Sequence, residues 1–276
     1  MARSDVVALT DVPETMLWTL HNRAGEAMRQ DAILSDPRAV EIYQAIDYDY
    51  ERNFGPSEPS HALRSLAFDQ VIVDFLERYP DAVIVNLGEG LETQRFRIQA
   101  PDARWFSVDL PEAIATREKF IQPDDSHQHL ALSALDRAWM AQVPKDKPVI
   151  ITAQGLFMYF QGQEVRSLME DIFKAFSPCW LVFDTIPQWL SNKTMSDEGW
   201  ARTEHYTTPK MPWGINRNTI PKTLGGWLGD QVNIEDLGYP YFTREMGWRI
   251  FSLMAKVPFL RTVTPTIIRL SSPQIP

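Results

Sequence analysis

The residues best placed to do chemistry together are two glycines and two glutamates in Gly88-Glu89-Gly90-Leu91-Glu92, followed at a distance by Asp109. Residues 82–87 before them are uncharged and rich in β-branched side chains, which suits a strand buried on both faces. Glycine can leave such a strand through φ values closed to other residues, and it lets a ligand lie against the main chain. Residues 104–108 predict a second strand. Asp109 ends it 21 positions after Gly88, near the ~20-residue offset at which a carboxylate meets ribose hydroxyls. An ordinary strand-to-helix turn followed by a solvent-facing aspartate would have the same outline. A dinucleotide site asks for a third glycine where Thr93 stands and sets a pyrophosphate at a helix start, where Glu89 and Glu92 would repel it. The turn therefore predicts a ligand that is cationic or free of phosphate. S-adenosylmethionine, with a ribose, an adenine and a sulfonium, fits.

Four stretches in order, VNLGEGLETQ, WFSVDLPEAIATRE, ALSALDRAW and ITAQGLFMYFQGQEV, resemble the leucine carboxyl methyltransferase family, closest to its bacterial branch of tetracenomycin-type polyketide O-methyltransferases. The resemblance covers residues 10–185. It implies a Rossmann-like class I methyltransferase fold and S-adenosylmethionine as cofactor, held at Gly88, Glu89, Gly90, Asp109 and Leu110. Arg64 matches the family arginine that pairs with the methionine carboxylate, a task suited to a bidentate guanidinium. Ser133 and Ala134 stand where the family usually has an Asp-Leu pair beside the adenine, with Leu135 and Asp136 next in that loop. The missing carboxylate is a departure for which Asp136 is near enough to substitute. Gln154 stands where the family often has a glutamate at the methionine end, and it keeps an acceptor without the charge.

Several elements must position these residues. Residues 1–58 carry mixed helical patterning and predict a helical cap before a core of residues 59–276. In residues 60–80, Leu63, Leu66, Ala67, Val71, Phe75 and Leu76 make one apolar face at helical spacing, a helix to dock on a sheet. Residues 111–120 start a helix, residues 129–132 predict a third strand, and residues 148–153 a fourth. Val165, Leu168, Met169, Ile172, Phe173 and Phe176 recur at helical spacing before another strand at residues 179–184. Strands followed by helices in this order predict an α/β fold with a doubly wound parallel sheet. Patterning is lost over residues 185–230, which predicts a structureless lid, and residues 231–234 and 266–270 read as closing strands, an antiparallel pair.

Methyl transfer from a sulfonium is an in-line displacement that needs the nucleophile held behind the methyl and water kept out. A carboxylate, with a pKa near ~4, is already ionised at pH 7, whereas a phenol near ~10 usually needs a base. The lid supplies Trp189, Tyr206 and Trp213 which, with Tyr159, could wall an apolar or aromatic acid; Arg202 and Arg217 could orient its carboxylate. His205 is the one histidine in the lid, so His205 and Tyr159 are the candidate catalytic residues. The reading favoured is carboxyl O-methylation of an apolar or aromatic, polyketide-like acid. Phenol methylation with a histidine base and a non-catalytic methyltransferase-like binding protein are the alternatives, and a nicotinamide oxidoreductase fits poorly because of Thr93 and the glutamates.

Composition narrows the setting. The 276 residues, 44% hydrophobic and 11% aromatic, can build a sizeable core. A formal charge of −9 disfavours nucleic acid as a partner. The single cysteine, Cys179, allows no intramolecular disulfide and offers no metal cluster. No stretch has the length and apolarity of a signal peptide or a membrane span, so a cytoplasmic protein acting on a small molecule is expected. The sequence does not set the oligomeric state.

Overall fold

The computed structural model describes residues 9–273. After a 3-10 turn at Val12–Glu14 come helices α1 (Thr15–Ala27), α2 (Pro37–Ala45), α3 (Tyr50–Phe54) and α4 (Ser60–Arg78). Alternation follows: β1 (Val83–Leu87), α5 (Gln94–Arg97), β2 (Arg104–Asp109), α6 (Pro111–Arg117), β3 (His127–Ala131), β4 (Val149–Ala153), α7 (Gly162–Ala175), β5 (Cys179–Thr185). The chain closes through α8 (Gln188–Met195), α9 (Ile220–Leu228), β6 (Asn233–Asp236), α10 (Met246–Met254) and β7 (Thr266–Ser271).

The seven strands lie in the order β3-β2-β1-β4-β5-β7-β6. The first five are parallel, and β7 runs antiparallel to both β5 and β6. Alternate residues of β1 explain the double winding. Val83, Val85 and Leu87 pack with Leu168, Ile172 and Leu224 from α7 and α9, while Ile84 packs with Phe68, Ile72 and Phe75 from α4. Both faces of β1, β4 and β5 are covered, so every residue of these strands is buried, as a parallel sheet requires. The order reverses between β1 and β4, and open α/β sheets bind ligands beyond the carboxyl ends of the strands at that point. Register places Leu87 beside Val108 on one side and Ala153 on the other. The turn after β1, Asp109 and Gln154 therefore meet at one end of the sheet.

The doubly wound sheet and the antiparallel closing pair agree with the sequence, while several details differ. The buried side of α4 is Ala62, Leu63, Ser65, Phe68, Val71, Ile72 and Phe75, and Leu66 is exposed. Ala67 and Leu76 are only half-buried, so the buried stripe is rotated from the one drawn from aliphatic spacing. The region read as structureless, residues 185–230, contains α8 and α9. Helix α8 buries only Ser191 and Thr194, and α9, although it buries Ile220, Leu224 and Leu228 at helical spacing, carries Pro221, Gly225 and Gly226, which argue against a helix in sequence. The third strand starts at His127, because a buried histidine at the sheet edge carries no apolar signal.

Residues 12–54 lie over the carboxyl end of the sheet. Leu17, Leu20, Ile42, Tyr50 and Phe54 form a cluster with Leu91, Ala113 and Tyr206. Asp36 caps α2 by accepting from Ala39 N at 3.0 Å, and Pro37 starts the helix. The first eight residues of the expected cap lie outside the described residues.

Candidate functional site

At the end of β1, Gly88 and Gly90 take φ values of 62° and 53°, a region that L side chains rarely adopt. Space is also short there. A Cβ at Gly88 would stand 2.7 Å from Leu156 Cδ1, and one at Gly90 2.9 Å from Met16 Cβ. The turn is thus a bare main-chain floor to a cavity of about 200 Å³. Asp109 closes one side. Its carboxylate accepts from Gly90 N at 2.7 Å and Leu110 N at 2.8 Å, which fixes both oxygens while leaving each with acceptor capacity. Burial outweighs these bonds and pushes the Asp109 carboxyl up to about 6.

The glutamates do not act as the sequence suggested. Glu89 turns inward, accepting from Asn86 Nδ2 at 3.0 Å and from Ser107, and lies 3.1 Å from Arg117. Glu92 accepts from Ser65 at 2.8 Å and pairs with Arg97 at 2.8 Å and Arg23 at 3.4 Å. Burial alone would raise Glu92, but the two guanidiniums overcome it and hold the carboxyl below its ordinary range. Both charges are compensated, so neither repels phosphate. What disfavours a pyrophosphate is the following helix, which spans only Gln94–Arg97 and offers little dipole to hold one.

Across the floor, Arg64 lines the cavity from α4. Its Nη1 donates to Asp184 Oδ2 at 3.2 Å, and Asp184 Oδ1 accepts from Gly155 N at 2.5 Å. One edge of the guanidinium is therefore anchored, and its buried Nε has no partner. Burial and the neighbouring Asp184 carboxylate hold the Tyr239 phenol above its ordinary range. Gln154 also lines the cavity; its Nε2 leans on Gln94 Oε1 at 3.4 Å, and its buried Oε1 has no partner. Unpaired buried donors and acceptors are costly without a ligand. Ser133 and Ala134 line the opposite end. Leu135 packs into the core from partial burial, and Asp136, exposed, accepts from Ala138 N at 2.9 Å. Asp136 thus caps the 3-10 turn Arg137–Ala141 and stands outside the cavity lining.

The rest of the wall includes Val12, Pro13, Thr15, Met16, Leu156, Tyr159 and Phe160. Burial pushes the Tyr159 phenol up to about 12. The lid candidates lie elsewhere. His205 is exposed and sits 3.1 Å from Glu204. Trp189 is also exposed, its Nε1 on Val263 O at 2.9 Å. Arg202 is fixed to Glu58 at 2.5 Å and lies 4.8 Å over the Trp18 ring. Trp213 is core, 6.2 Å from both Phe183 and Trp227. Arg217 forms a bidentate pair with Asp236, at 2.8 and 2.9 Å. Tyr206 is buried against Phe54, 4.8 Å between ring centroids, outside the cavity wall although its hydroxyl has no partner. Aromatic and cationic residues in a patternless segment look free in sequence, but here neighbouring carboxylates and rings occupy them.

Sequence reasoning missed Arg23, Met16 and Thr15. Met16, Leu17, Leu20, Arg23 and Ala24 recur at helical spacing and are all buried. An arginine continuing an apolar stripe was the available sign of an internal ionic partner.

The donor set fits S-adenosylmethionine: a carboxylate with open lone pairs for a ribose diol, an anchored guanidinium with an unpaired donor for the methionine carboxylate, and a glycine floor closed to side chains. Comparison with known proteins points the same way. The family described as leucine carboxyl methyltransferase matches residues 17–173, more than half of the chain. Tetracenomycin polyketide synthesis O-methyltransferase TcmP of Streptomyces glaucescens is 27% identical over 262 residues, 93% of this chain and 96% of that protein. The S-adenosyl-L-methionine-dependent methyltransferase dpfgK of Gibberella zeae is 29% identical over 188 residues, 62% of this chain and 63% of that protein. The solved plantazolicin methyltransferase BamL, in complex with a triazolic desmethylPZN analog and SAH, shares the fold at TM-score 0.52 and 13% identity, over 95% of this chain and 99% of that one. The chain therefore belongs to the leucine carboxyl methyltransferase family and is an S-adenosylmethionine-dependent methyltransferase.

Proposed function

We propose that the protein methylates the carboxylate of a small apolar or aromatic acid, polyketide-like in view of its likeness to TcmP, to give a methyl ester. When bound, the cofactor supplies a methyl group on a sulfonium. Asp109 holds the ribose and Arg64, steadied by Asp184, the methionine carboxylate, with Gly88 and Gly90 under the main body and Ser133 and Ala134 beside the adenine. The apolar wall of Val12, Pro13, Met16, Leu156 and Phe160 excludes water and favours an acceptor with an apolar body.

One observation carries the choice of acceptor: among the described residues the cavity wall has no histidine or lysine, and the one phenol there, Tyr159, is pushed up to about 12. Tyr159 stays protonated and can donate a hydrogen bond but cannot take a proton. The carboxylates in the wall are engaged by Arg97, Arg117, Arg23 and main-chain amides. An acceptor oxygen must then arrive already ionised, which a carboxylic acid near ~4 does and a phenol near ~10 does not. His205, the base that phenol methylation would have used, is exposed and paired with Glu204. The test is methyl transfer to matched acceptors that differ only in bearing a carboxylic acid or a phenol. Product from the acids alone is expected, and product from the phenols alone would overturn the proposal.

A further inference from the structure

The chain is acidic overall, yet residues 241–263 hold Arg244, Arg249, Lys256 and Arg261 against the single acid Glu245. The same stretch contributes Tyr241, Met246, Ile250, Leu253, Val257, Phe259 and Val263 to the exposed large hydrophobic residues, each between 39% and 75% exposed. Their spacing matters. Met246, Ile250 and Leu253 recur at intervals of four and three, so they form one stripe along α10. The opposite side is committed to the protein: Ser252 is buried and bonds both Phe242 N at 3.1 Å and Phe242 O at 3.0 Å, and Trp248 and Phe251 pack at 5.2 Å. The apolar stripe therefore faces solvent, the reverse of an ordinary surface helix.

The segment is also held in place. Arg244 pairs with Glu26 and lies 3.5 Å from Asp31, and Val263 O accepts from Trp189, itself exposed beside the patch. Arg249, Lys256 and Arg261 remain exposed around the stripe, with Lys256 3.9 Å over the Tyr241 ring. Large apolar side chains directed outward and ringed by long cationic ones are the composition of a helix that lies in the interface of an anionic bilayer. Self-pairing of this face about a two-fold axis would bring its cations together. No helix among the described residues is long and apolar enough to cross a membrane, so the contact is with one face of the bilayer.

From this convergence of an outward apolar stripe and a cationic rim on an acidic protein, we infer that residues 241–263 dock the enzyme on an anionic lipid surface. Met246, Ile250, Leu253 and Phe259 enter the acyl boundary, and Arg249, Lys256 and Arg261 meet the headgroups. The anionic surface repels the rest of the acidic molecule, which restricts docking to this face.

The test is co-sedimentation of the full chain with phosphatidylcholine vesicles, with and without phosphatidylglycerol, at low and high salt. Binding to the anionic vesicles alone, weakened by salt, is expected. Arg249→Glu, Lys256→Glu and Arg261→Glu should each reduce affinity by at least about fivefold. The pair Ile250→Asp and Leu253→Asp should abolish binding with S-adenosylmethionine affinity unchanged. Absence of sedimentation at low salt, or sedimentation indifferent to these substitutions, would overturn the inference. So would a dimer in sedimentation velocity that the aspartate pair dissociates, which would make the stripe a contact between copies, or failure to bind vesicles alongside stripe-dependent capture of an acidic protein.

Discussion

In the proposed site Asp109 and Arg64 hold opposite ends of the cofactor, so each makes a separate prediction. Asp109→Ala removes a charge-assisted acceptor and should weaken S-adenosylmethionine binding by about 1.5–3 kcal/mol in calorimetry. Arg64→Ala should weaken it comparably, and a cofactor lacking the methionine carboxylate should not distinguish that variant from the parent. Asp109 also predicts a pH dependence. Its carboxyl titrates at about 6 in the free protein, and a proton there competes with the ribose hydroxyls that donate to the ionised form. Affinity should therefore be flat above pH 6 and fall below it, approaching about tenfold per pH unit. His61 and His127 are held well below their usual range by burial, so the dependence should vanish in Asp109→Asn. At this scale much of the candidate site was legible, in that Gly88, Gly90, Asp109, Arg64, Gln154, Ser133 and Ala134, expected to share a site, all line one cavity. The acceptor side was not, because Trp189, Arg202, Trp213, Arg217 and His205 advertise themselves by residue type while their partners, Val263, Glu58, Phe183, Asp236 and Glu204, are set by the fold.

Elements are joined by a buried ionic cluster that composition does not reveal. Arg97 from α5 binds Asp69 of α4 through Nε at 2.7 Å and Nη2 at 2.9 Å, and its Nη1 reaches Asp36 before α2 at 2.6 Å and Glu92 at 2.8 Å. Thr93 and Arg23 complete the contacts to Asp36 and Glu92. The N-terminal helices are thereby fastened to the turn that floors the site. Arg97→Ala leaves two buried carboxylates, Asp36 and Glu92, and the half-buried Asp69 short of a partner and should destabilise the protein by about 3–5 kcal/mol in urea denaturation. The pair Arg269–Glu235 at the sheet edge is a useful contrast, since Glu235 is largely exposed and Arg269→Ala should cost about 0–1 kcal/mol of pair energy. Strands β1, β4 and β5 were readable because burial on both faces demands uniformly apolar sequence. The helices α8, α9 and α10 were not. Helix α8 buries no large apolar residue, the spacing of Ile220, Leu224 and Leu228 in α9 is masked by Pro221, Gly225 and Gly226, and α10 carries its clearest apolar period on the side facing solvent.

For the whole molecule, the cavity at the strand-order reversal, the apolar wall from residues 12–16 and 156–160, and an outward apolar stripe with a cationic rim suit the proposed apolar acid acceptor. Doubly wound topology followed from the alternation of strands and helices, whereas the lid residues expected to wall the acceptor lie outside the cavity, which residues 12–16 and 156–160 line instead. The central claim is that methyl goes to a carboxylate without a protein base, and the product tests it most directly. The protein should be incubated with methyl-labelled S-adenosylmethionine and an aromatic acid that also bears a phenol, and the product identified by mass spectrometry before and after mild alkali. The expected result is a methyl ester that alkali cleaves with release of labelled methanol. A methylated product that survives alkali as a phenolic ether would contradict it.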